Sequence, residues 1–212
     1  MNVFNKSPSS RATQKTATGV AVLDAARDEF ERVGFEAANL RTIASRAGVS
    51  AGTVLHHFGD KKELLHAALF HDLEATLARV LANLGPGPLE AQLKRLTRGV
   101  FKYYQQRPVL SRPLLKESLF AEGEWAQRFT AQLGQAHATV ARLTEEARAR
   151  GELQAGLNGP LFSVAYFSFF YFALISWVQG AHPNPGLLVE RLVAQQLQGH
   201  RSPPSKPKGS RT

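Results

Sequence analysis

The chain has 212 residues, 43% of them apolar, which is enough for one large domain or two small ones with a buried core. It contains no cysteine, which excludes disulfides, thiolate metal sites and cysteine nucleophiles. Most of the net charge of +9 falls in the two ends, because residues 1–20 carry three basic groups, residues 199–212 carry four, and neither segment has an acidic group. Binding to nucleic acid must therefore be argued from the placement of basic groups and not from their total.

Both ends of the chain have a composition typical of disordered segments, rich in Ser, Thr, Pro, Lys and Arg and without apolar periodicity. We expect a flexible basic arm over residues 1–17 and a disordered basic tail over residues 199–212. No apolar segment follows Lys6, Arg11 and Lys15, as it does in a secretory signal. We therefore expect a cytoplasmic protein.

Between these ends, apolar residues recur at helical spacing, and no segment alternates as a half-buried strand does. The pattern predicts an all-α body with helices at about 18–33, 40–47, 51–58, 60–84, 89–106, 109–121, 123–150, 159–180 and 184–198. The predicted N-caps are Asn39, Ser50, Asp60, Asn158 and Asn184.

Two predicted helix boundaries depend on particular residues. Gly34 is expected to end the first helix in the left-handed conformation. Glu63, three residues after Asp60, is expected to complete a capping box at the start of the fourth helix.

Two short predicted helices joined by a turn at Gly48 form a helix-turn-helix pattern. A helix that reads DNA inserts its N-terminal end into the major groove, and small residues there let its backbone come close. Ala51 and Gly52 supply that clearance. Polar groups on its exposed side are expected from Thr53, His56 and His57.

Two cations flank this pattern. Arg41 lies in the first turn of the preceding helix and Lys61 at the start of the following one, where a cation and a backbone N–H can share a phosphate. The alternative is that residues 39–58 form a helical hairpin used only for packing. That alternative does not explain why so many basic and polar side chains flank one turn.

The stretch from Leu40 to Leu64 resembles the N-terminal domain of the TetR family of transcriptional regulators. The resemblance rests on Ile-Ala-x-x-Ala-Gly-Val-Ser-x-Gly-Thr, ending at Thr53, followed by His-Phe and Lys-x-Glu-Leu. It covers residues 18–66 and implies a DNA-binding domain there, with a double-stranded DNA operator as partner. The expected contact residues are Arg41, Thr42, Ser50, Ala51, Gly52, Thr53, His56, His57 and Lys61.

The sequence departs from the family pattern at Leu55, where many members have a tyrosine. The resemblance gives that tyrosine a hydrogen bond to a backbone phosphate, which a leucine side chain cannot make. We therefore assign no phosphate contact to Leu55.

The resemblance implies that residues 67–198 form a helical domain for effector binding and dimerisation. Residues 161–178 contain no charge and just reach the lower limit of a membrane span, but three serines and the lack of flanking cations argue against insertion. We expect no membrane contact. Instead, the helices at about 159–180 and 184–198 are expected to pair with their copies in a homodimer, which presents two reading helices ~34–36 Å apart.

Aromatic side chains that this packing does not use are expected to line an apolar pocket for a small apolar or aromatic effector. The candidates are Phe101, Tyr104, Leu114, Phe120, Trp125, Phe129, His137, Tyr166 and Phe170. The alternative for each of them is an ordinary place in the core.

No pattern in the chain indicates catalysis, a cofactor or a metal. His66 and His71 are five residues apart, off the spacing that puts two imidazoles on one helix face, and no phosphate-binding loop or catalytic series occurs. The sequence predicts a dimeric repressor that an effector releases from its operator. Two alternatives are a regulator of the same fold without an effector, controlled by a protein partner or constitutive, and, more remotely, a helical enzyme or membrane-surface protein.

Overall fold

A computed structural model describes residues 10–120, 122–154 and 156–201 of the chain. The helices of these residues are α1 (Ser10–Ala37), α2 (Leu40–Arg46), α3 (Ala51–Phe58), α4 (Lys61–Ala82), α5 (Leu89–Gln106), α6 (Pro108–Leu119), α7 (Gly123–Ala149), α8 (Gly159–Val178) and α9 (Pro185–Gln198). Over the same residues, the β pairing is one isolated bridge between Leu153 and Arg201. The all-α prediction is confirmed.

The described residues form two compact units. The first, the N-terminal unit, contains the residues up to Ala75 together with Tyr104–Ala126, and the second, the C-terminal unit, contains Thr76–Tyr103 and the residues from Gln127 onward. Helices α4, α5 and α7 each contribute to both units. These units are defined by packing alone. The assignment of DNA binding to residues 18–66 and of effector binding and dimerisation to residues 67–198 stays a prediction.

In the N-terminal unit, α1 packs against α2 and α6, and α2 packs against α3. The core is apolar and includes Val22, Ala26, Phe30, Ile43, Val54, Leu64, Leu65, Leu69, Leu110 and Leu114. The carboxylate of Glu31 on α1 accepts hydrogen bonds from the amides of Val109 and Leu110, at 3.2 and 2.8 Å. An acidic group at this position satisfies free N–H groups in the first turn of α6 and favours its dipole.

In the C-terminal unit, α8 packs against α9, and Tyr166 of α8 is fully buried. The Tyr166 hydroxyl and Thr97 Oγ1 of α5 are hydrogen-bonded at 2.8 Å. Burial raises the pKa of Tyr166 above its ordinary value, although the bond to Thr97 acts in the opposite direction. The ring of Phe101 stacks on that of Phe170, with centroids 4.4 Å apart. Both contacts join α5 to α8.

All five predicted N-caps are in place. Each side chain accepts a hydrogen bond from an amide of the following first turn, at 2.8 to 3.1 Å; the caps are Asn39, Ser50, Asp60, Asn158 and Asn184. The expected capping box at Asp60 is wrong. The Asp60 amide donates to the carbonyl of Phe58, and the Glu63 carboxylate accepts from Trp125 Nε1 at 2.8 Å. The Glu63 side chain, which a capping box would bond to the Asp60 amide, instead binds a tryptophan that is distant in sequence.

Helix α1 begins earlier than predicted. It starts at Ser10, so residues 10–17 of the expected flexible arm are helical, while residues 1–9 lie outside the described part of the chain. Gly34 has φ 79° and ψ 161° and interrupts the helix, as expected, although a further helical turn extends to Ala37. A segment without apolar periodicity can still extend a helix that is already nucleated.

The predicted disordered tail over residues 199–212 is wrong at its start. The amide of Gln154 donates to the carbonyl of His200 at 2.8 Å, and Arg201 forms an ion pair with Glu90. These contacts fix His200 and Arg201 in the C-terminal unit. Residues 202–212 lie outside the described part of the chain.

Helix α8 is long and apolar enough to cross a membrane, with a mean hydropathy of 1.8 over an 18-residue window. However, 44% of that window is buried within the protein itself, and the core helix of a soluble protein has the same length and composition. We therefore assign the buried side of α8 to the core of its unit.

Candidate nucleic-acid interface

Helices α2 and α3 are held in a compact turn by local hydrogen bonds. The amide of Val49 donates to the carbonyl of Ala44 at 2.9 Å, and Gly48 between them has φ 69°, which favours glycine. The Ser50 hydroxyl caps α3 by accepting from the Thr53 amide at 3.0 Å and also lies 2.9 Å from Thr53 Oγ1. The turn therefore fixes the direction of α3 and orders the two hydroxyl groups at its start.

Helix α3 has one buried and one exposed side. Val54 is buried beneath it, and Phe58 and Ala51 are half-buried on the same side. Gly52 and His56 are exposed on the opposite side. Thr53 and His57 are half-buried at the borders between the two sides, as expected for residues one helical position from the buried stripe.

Two arginines near α2 form ion pairs within the N-terminal unit. Arg32 and Arg46 both pair with the buried carboxylate of Glu29, at 2.8 and 3.4 Å. Arg41, in the first turn of α2, has an exposed side chain, and its amide donates to the Asn39 cap. The side chain that sequence analysis assigned to phosphate is thus exposed to solvent, and two neighbouring arginines are used within the fold.

The side chain of Lys61 makes contacts within the protein that a phosphate-binding role alone does not require. Its ammonium group donates to the carbonyls of Glu36 and Ala38, at 3.0 and 3.2 Å, and lies 4.7 Å from the centre of the Phe35 ring. The Glu36 carbonyl lies in the last turn of α1 and the Ala38 carbonyl directly after it, where a cation is favourable. Lys61 therefore joins the start of α4 to the end of α1, a role that sequence analysis missed because the partners are more than 20 residues away.

The remaining expected contact residues lie beside this surface. Thr42 and Ala51 are half-buried, and Ser50 is exposed. The structure thus brings Arg41, Thr42 and the α3 residues to one helix-turn-helix, with Lys61 at its border.

The expected effector-pocket residues fall into both units. The C-terminal unit contains five of them: Phe101, Phe129, His137, Tyr166 and Phe170. Phe101, Tyr166 and Phe170 are buried in the contacts between α5 and α8 described above. His137 Nδ1 lies 3.0 Å from the Ser163 hydroxyl, and burial lowers the pKa of its imidazole below the ordinary value. An effector that uses these rings has to separate side chains that now pack on each other.

The N-terminal unit contains the other four, Tyr104, Leu114, Phe120 and Trp125. Tyr104 and Leu114 are core residues, and the Trp125 ring stacks on Phe70 with centroids 5.3 Å apart. Phe120 is 77% exposed at the end of α6, so the structure does not enclose it in a pocket.

A surface cleft that sequence analysis did not single out lies between α5 and α9, lined by Glu90, Leu93, Lys94, Thr97, Glu190 and Val193. Arg98 and Lys94 lie 2.7 and 3.1 Å from the Glu190 carboxylate. Burial acts to raise the pKa of Glu190, but the hydrogen bonds and charges of these two cations outweigh it and lower the pKa. The i, i+4 spacing of the cations was the available signal, but their partner lies 92 residues from Arg98.

This arrangement of a capped turn, a short helix with an exposed polar side and a neighbouring exposed arginine defines a helix-turn-helix DNA-binding protein. The model of the bacterial regulatory proteins of the tetR family matches residues 22–68, which include α2 and α3. The chain belongs to the TetR family.

Proteins of known sequence and structure agree with this assignment. The chain is 27% identical over 156 residues to the HTH-type transcriptional regulator UidR of Escherichia coli, covering 71% of this chain and 76% of UidR. It is 33% identical over 145 residues to the HTH-type transcriptional regulator Mb3439c of Mycobacterium bovis, covering 68% and 66%. The structure of FadR from Bacillus subtilis in complex with stearoyl-CoA has the same fold, with a TM-score of 0.69 and 18% identity over 85% of this chain and 98% of FadR. The protein is a DNA-binding transcriptional regulator and not an enzyme.

Proposed function

We propose that the protein is a homodimeric, cytoplasmic repressor that reads operator DNA with α3 and is released by a small apolar or aromatic effector. The observation that carries the proposal is the exposed polar side of α3, which is held by its Ser50 cap beside the exposed Arg41 in a chain of this family. Base contacts are assigned to His56 on the exposed side of α3 and to Thr53 and His57 at its borders. Phosphate contacts are assigned to Arg41, Thr42, Ser50 and Lys61, and close backbone approach to Ala51 and Gly52.

Fluorescence anisotropy of the full chain on labelled DNA from upstream of its own gene, competed with scrambled DNA at near-physiological salt, tests the DNA-binding part. We expect a preference of ~10³-fold or more for the specific DNA. Arg41→Ala is expected to weaken binding to both DNAs, because phosphate contacts carry no sequence information. His56→Ala is expected to lower the preference itself. Equal binding of all sequences, before and after a selection from genomic fragments, counts against a sequence-specific regulator.

A stripe of exposed apolar side chains on α8 supports the homodimer. Leu161, Val164 and Phe172 are 69%, 53% and 56% exposed, and their spacing places them along one side of the helix. A contiguous apolar surface on a soluble protein is typical of an interface, and two-fold pairing buries the same patch on both copies. We propose that this stripe, with α9 beside it, pairs with its copy.

Sedimentation equilibrium of Phe172→Glu tests the pairing, since a charge there is buried without a partner in the dimer. We expect the variant to sediment as a monomer at concentrations where the natural protein is a dimer. Leu119→Glu, at a 44% exposed leucine on α6, is the matched control and should remain dimeric. A monomeric natural protein, or a dimer that Phe172→Glu leaves intact, contradicts this interface.

The aromatic packing of the C-terminal unit supports an apolar or aromatic effector, because Phe101, Tyr166 and Phe170 meet where α5 contacts α8. The related fold of FadR is known with stearoyl-CoA bound. An effector that binds more tightly to the form with separated rings shifts the protein toward that form, and DNA is released if that form binds the operator poorly.

Thermal-shift titration with stearoyl-CoA and with a set of aromatic compounds, followed by anisotropy on the operator, tests the effector. A true effector is expected to raise the melting temperature with concentration and to release DNA over the same range. Phe170→Ala should weaken both responses. If every compound leaves both readouts unchanged, the protein is a regulator of the same fold without a small-molecule effector.

A further inference from the structure

A large apolar side chain on α3 lies in solvent. Leu55 is 45% exposed, although the preceding Val54 is buried beneath the same helix. A single exposed leucine is common on protein surfaces and by itself indicates nothing. Leu55, however, lies on the helix that is assigned to reading DNA.

Leu55 borders the exposed side of α3 that is assigned to base edges. Successive residues of a helix point about 100° apart, so Leu55 and His56 leave the helix in neighbouring directions. Gly52, one turn earlier, lies between those directions, and a side chain added there would meet nothing closer than Ser50 Oγ at 3.6 Å. The helix can therefore approach a surface closely at Gly52, with an apolar group on one side of the contact and an imidazole on the other.

We propose that Leu55 contacts the C5 methyl group of a thymine in each operator half-site and thereby specifies a T·A pair. The inference rests on the proposed role of α3 as the helix that enters the major groove. The thymine methyl is the apolar group that a base pair presents in that groove, where cytosine has a hydrogen at the same position. A leucine has no donor for phosphate oxygens, and placing it against them would only remove their hydration. Contact with the methyl group instead buries apolar surface on both partners.

Replacement of thymine by deoxyuridine removes that methyl group and leaves base pairing intact. The full chain is first used to select binding sites from a library of random duplexes, and each thymine of the selected site is then replaced in turn. For the natural protein, we expect one thymine per half-site whose replacement weakens binding about fourfold, the ratio that corresponds to about 0.8 kcal/mol for one buried methyl group. In Leu55→Ala that penalty should disappear while the penalties at other thymines persist.

Two further variants separate this contact from general effects. Leu119→Ala truncates a similarly exposed leucine outside α3 and should retain affinity and every deoxyuridine penalty. His56→Ala should bind more weakly overall but keep the penalty assigned to Leu55. Because Leu55 is 45% exposed and lies outside the buried core, its truncation should lower the melting temperature only slightly.

Three outcomes can be distinguished. If the natural protein selects a specific site but no thymine shows a penalty, or Leu55→Ala retains all penalties, the Leu55 contact is overturned while the proposed function stands. If no preferred sequence is selected, the proposed function fails, and the inference that rests on it fails as well. Loss of the penalty at one thymine per half-site in Leu55→Ala alone supports the contact.

Discussion

At the scale of single residues, the bonds of Lys61 link a DNA-binding element to the stability of the fold. Its ammonium group donates to two backbone carbonyls at the C-terminal end of α1, and the side chain is half-buried above the Phe35 ring. These carbonyls have no partner within the helix, so a charged donor is favourable there. The residue that resemblance assigns to phosphate thus also joins two helices.

We expect Lys61→Met to lower the free energy of unfolding by about 1 kcal/mol, because methionine retains the apolar stem and loses both hydrogen bonds. Urea denaturation measures this change. Lys62→Met removes the same charge from the exposed neighbouring position and should change stability by less than about 0.5 kcal/mol. Equal effects of the two substitutions indicate that the carbonyl contacts do not stabilise the fold.

His137 gives the C-terminal unit a dependence on pH. Burial lowers the pKa of its imidazole below the ordinary 6.5, so the folded protein holds it neutral where the unfolded chain protonates it. Above pH 6.5 both states are neutral and His137 contributes no pH dependence. As the pH falls below 6.5 toward the lowered value, the unfolded state binds more protons and stability decreases.

We therefore expect His137→Gln to lose less stability than the natural protein between pH 7 and pH 5. Melting temperatures at matched ionic strength over this range provide the comparison. His71→Gln, at an exposed position, controls for the general loss of an imidazole. Parallel pH curves for the natural protein and His137→Gln show that another group causes any loss of stability.

At the scale of elements, α8 begins in very close contact with α7. A Cβ on Gly159 would lie 2.9 Å from the carbonyl oxygen of Ala141 and 2.8 Å from the Glu145 carboxylate. The carboxylate can move, but the backbone carbonyl cannot do so without shifting α7. The absence of a side chain at Gly159 therefore permits the observed distance between the two helices.

Gly159→Ala is expected to destabilise the protein by about 1–3 kcal/mol, as overpacking of a well-packed contact does. Gly134→Ala is the matched control, because Gly134 lies within α7 with nothing within 4 Å of an added Cβ. There the substitution should stabilise by about 0.5–1 kcal/mol, since alanine favours the helix. Thermal or urea unfolding measures both. Opposite signs support the close contact, and stabilisation by both substitutions contradicts it.

The elements also show what local sequence can predict. The caps at Asn39 and Ser50 were predicted correctly because a cap bonds within its own first turn. The box at Glu63 was not, because Trp125, 62 residues away, binds that carboxylate. Leu55 could be identified as a departure from the family pattern, but its exposure depends on which side of α3 is packed. Local patterns therefore predicted the helices and the helix-turn-helix, whereas the partners of charged side chains such as Glu63 and Lys61 depend on residues distant in sequence.

At the scale of the whole molecule, the positive charge is concentrated at the two ends of the chain. Lys6, Arg11 and Lys15 lie near the start of the chain, and α1, which begins at Ser10, belongs to the same unit as α3. Lys206, Lys208 and Arg211 follow His200 and Arg201, which are bonded within the C-terminal unit. The two ends therefore allow a comparison of equal charge attached to different units.

We expect glutamine substitution of Lys6, Arg11 and Lys15 together to flatten the dependence of operator affinity on salt. Each lost phosphate contact reduces the slope of log affinity against log salt concentration by about 0.9, so one contact per protomer of a dimer reduces it by about 1.8. The same substitutions at Lys206, Lys208 and Arg211 should leave the slope nearly unchanged. Anisotropy titrations between low and near-physiological salt measure both slopes. An unchanged slope in the N-terminal variant shows that these three residues make no phosphate contacts. Equal flattening in both variants shows that total charge, and not its placement at the N-terminal end, attracts the protein to DNA.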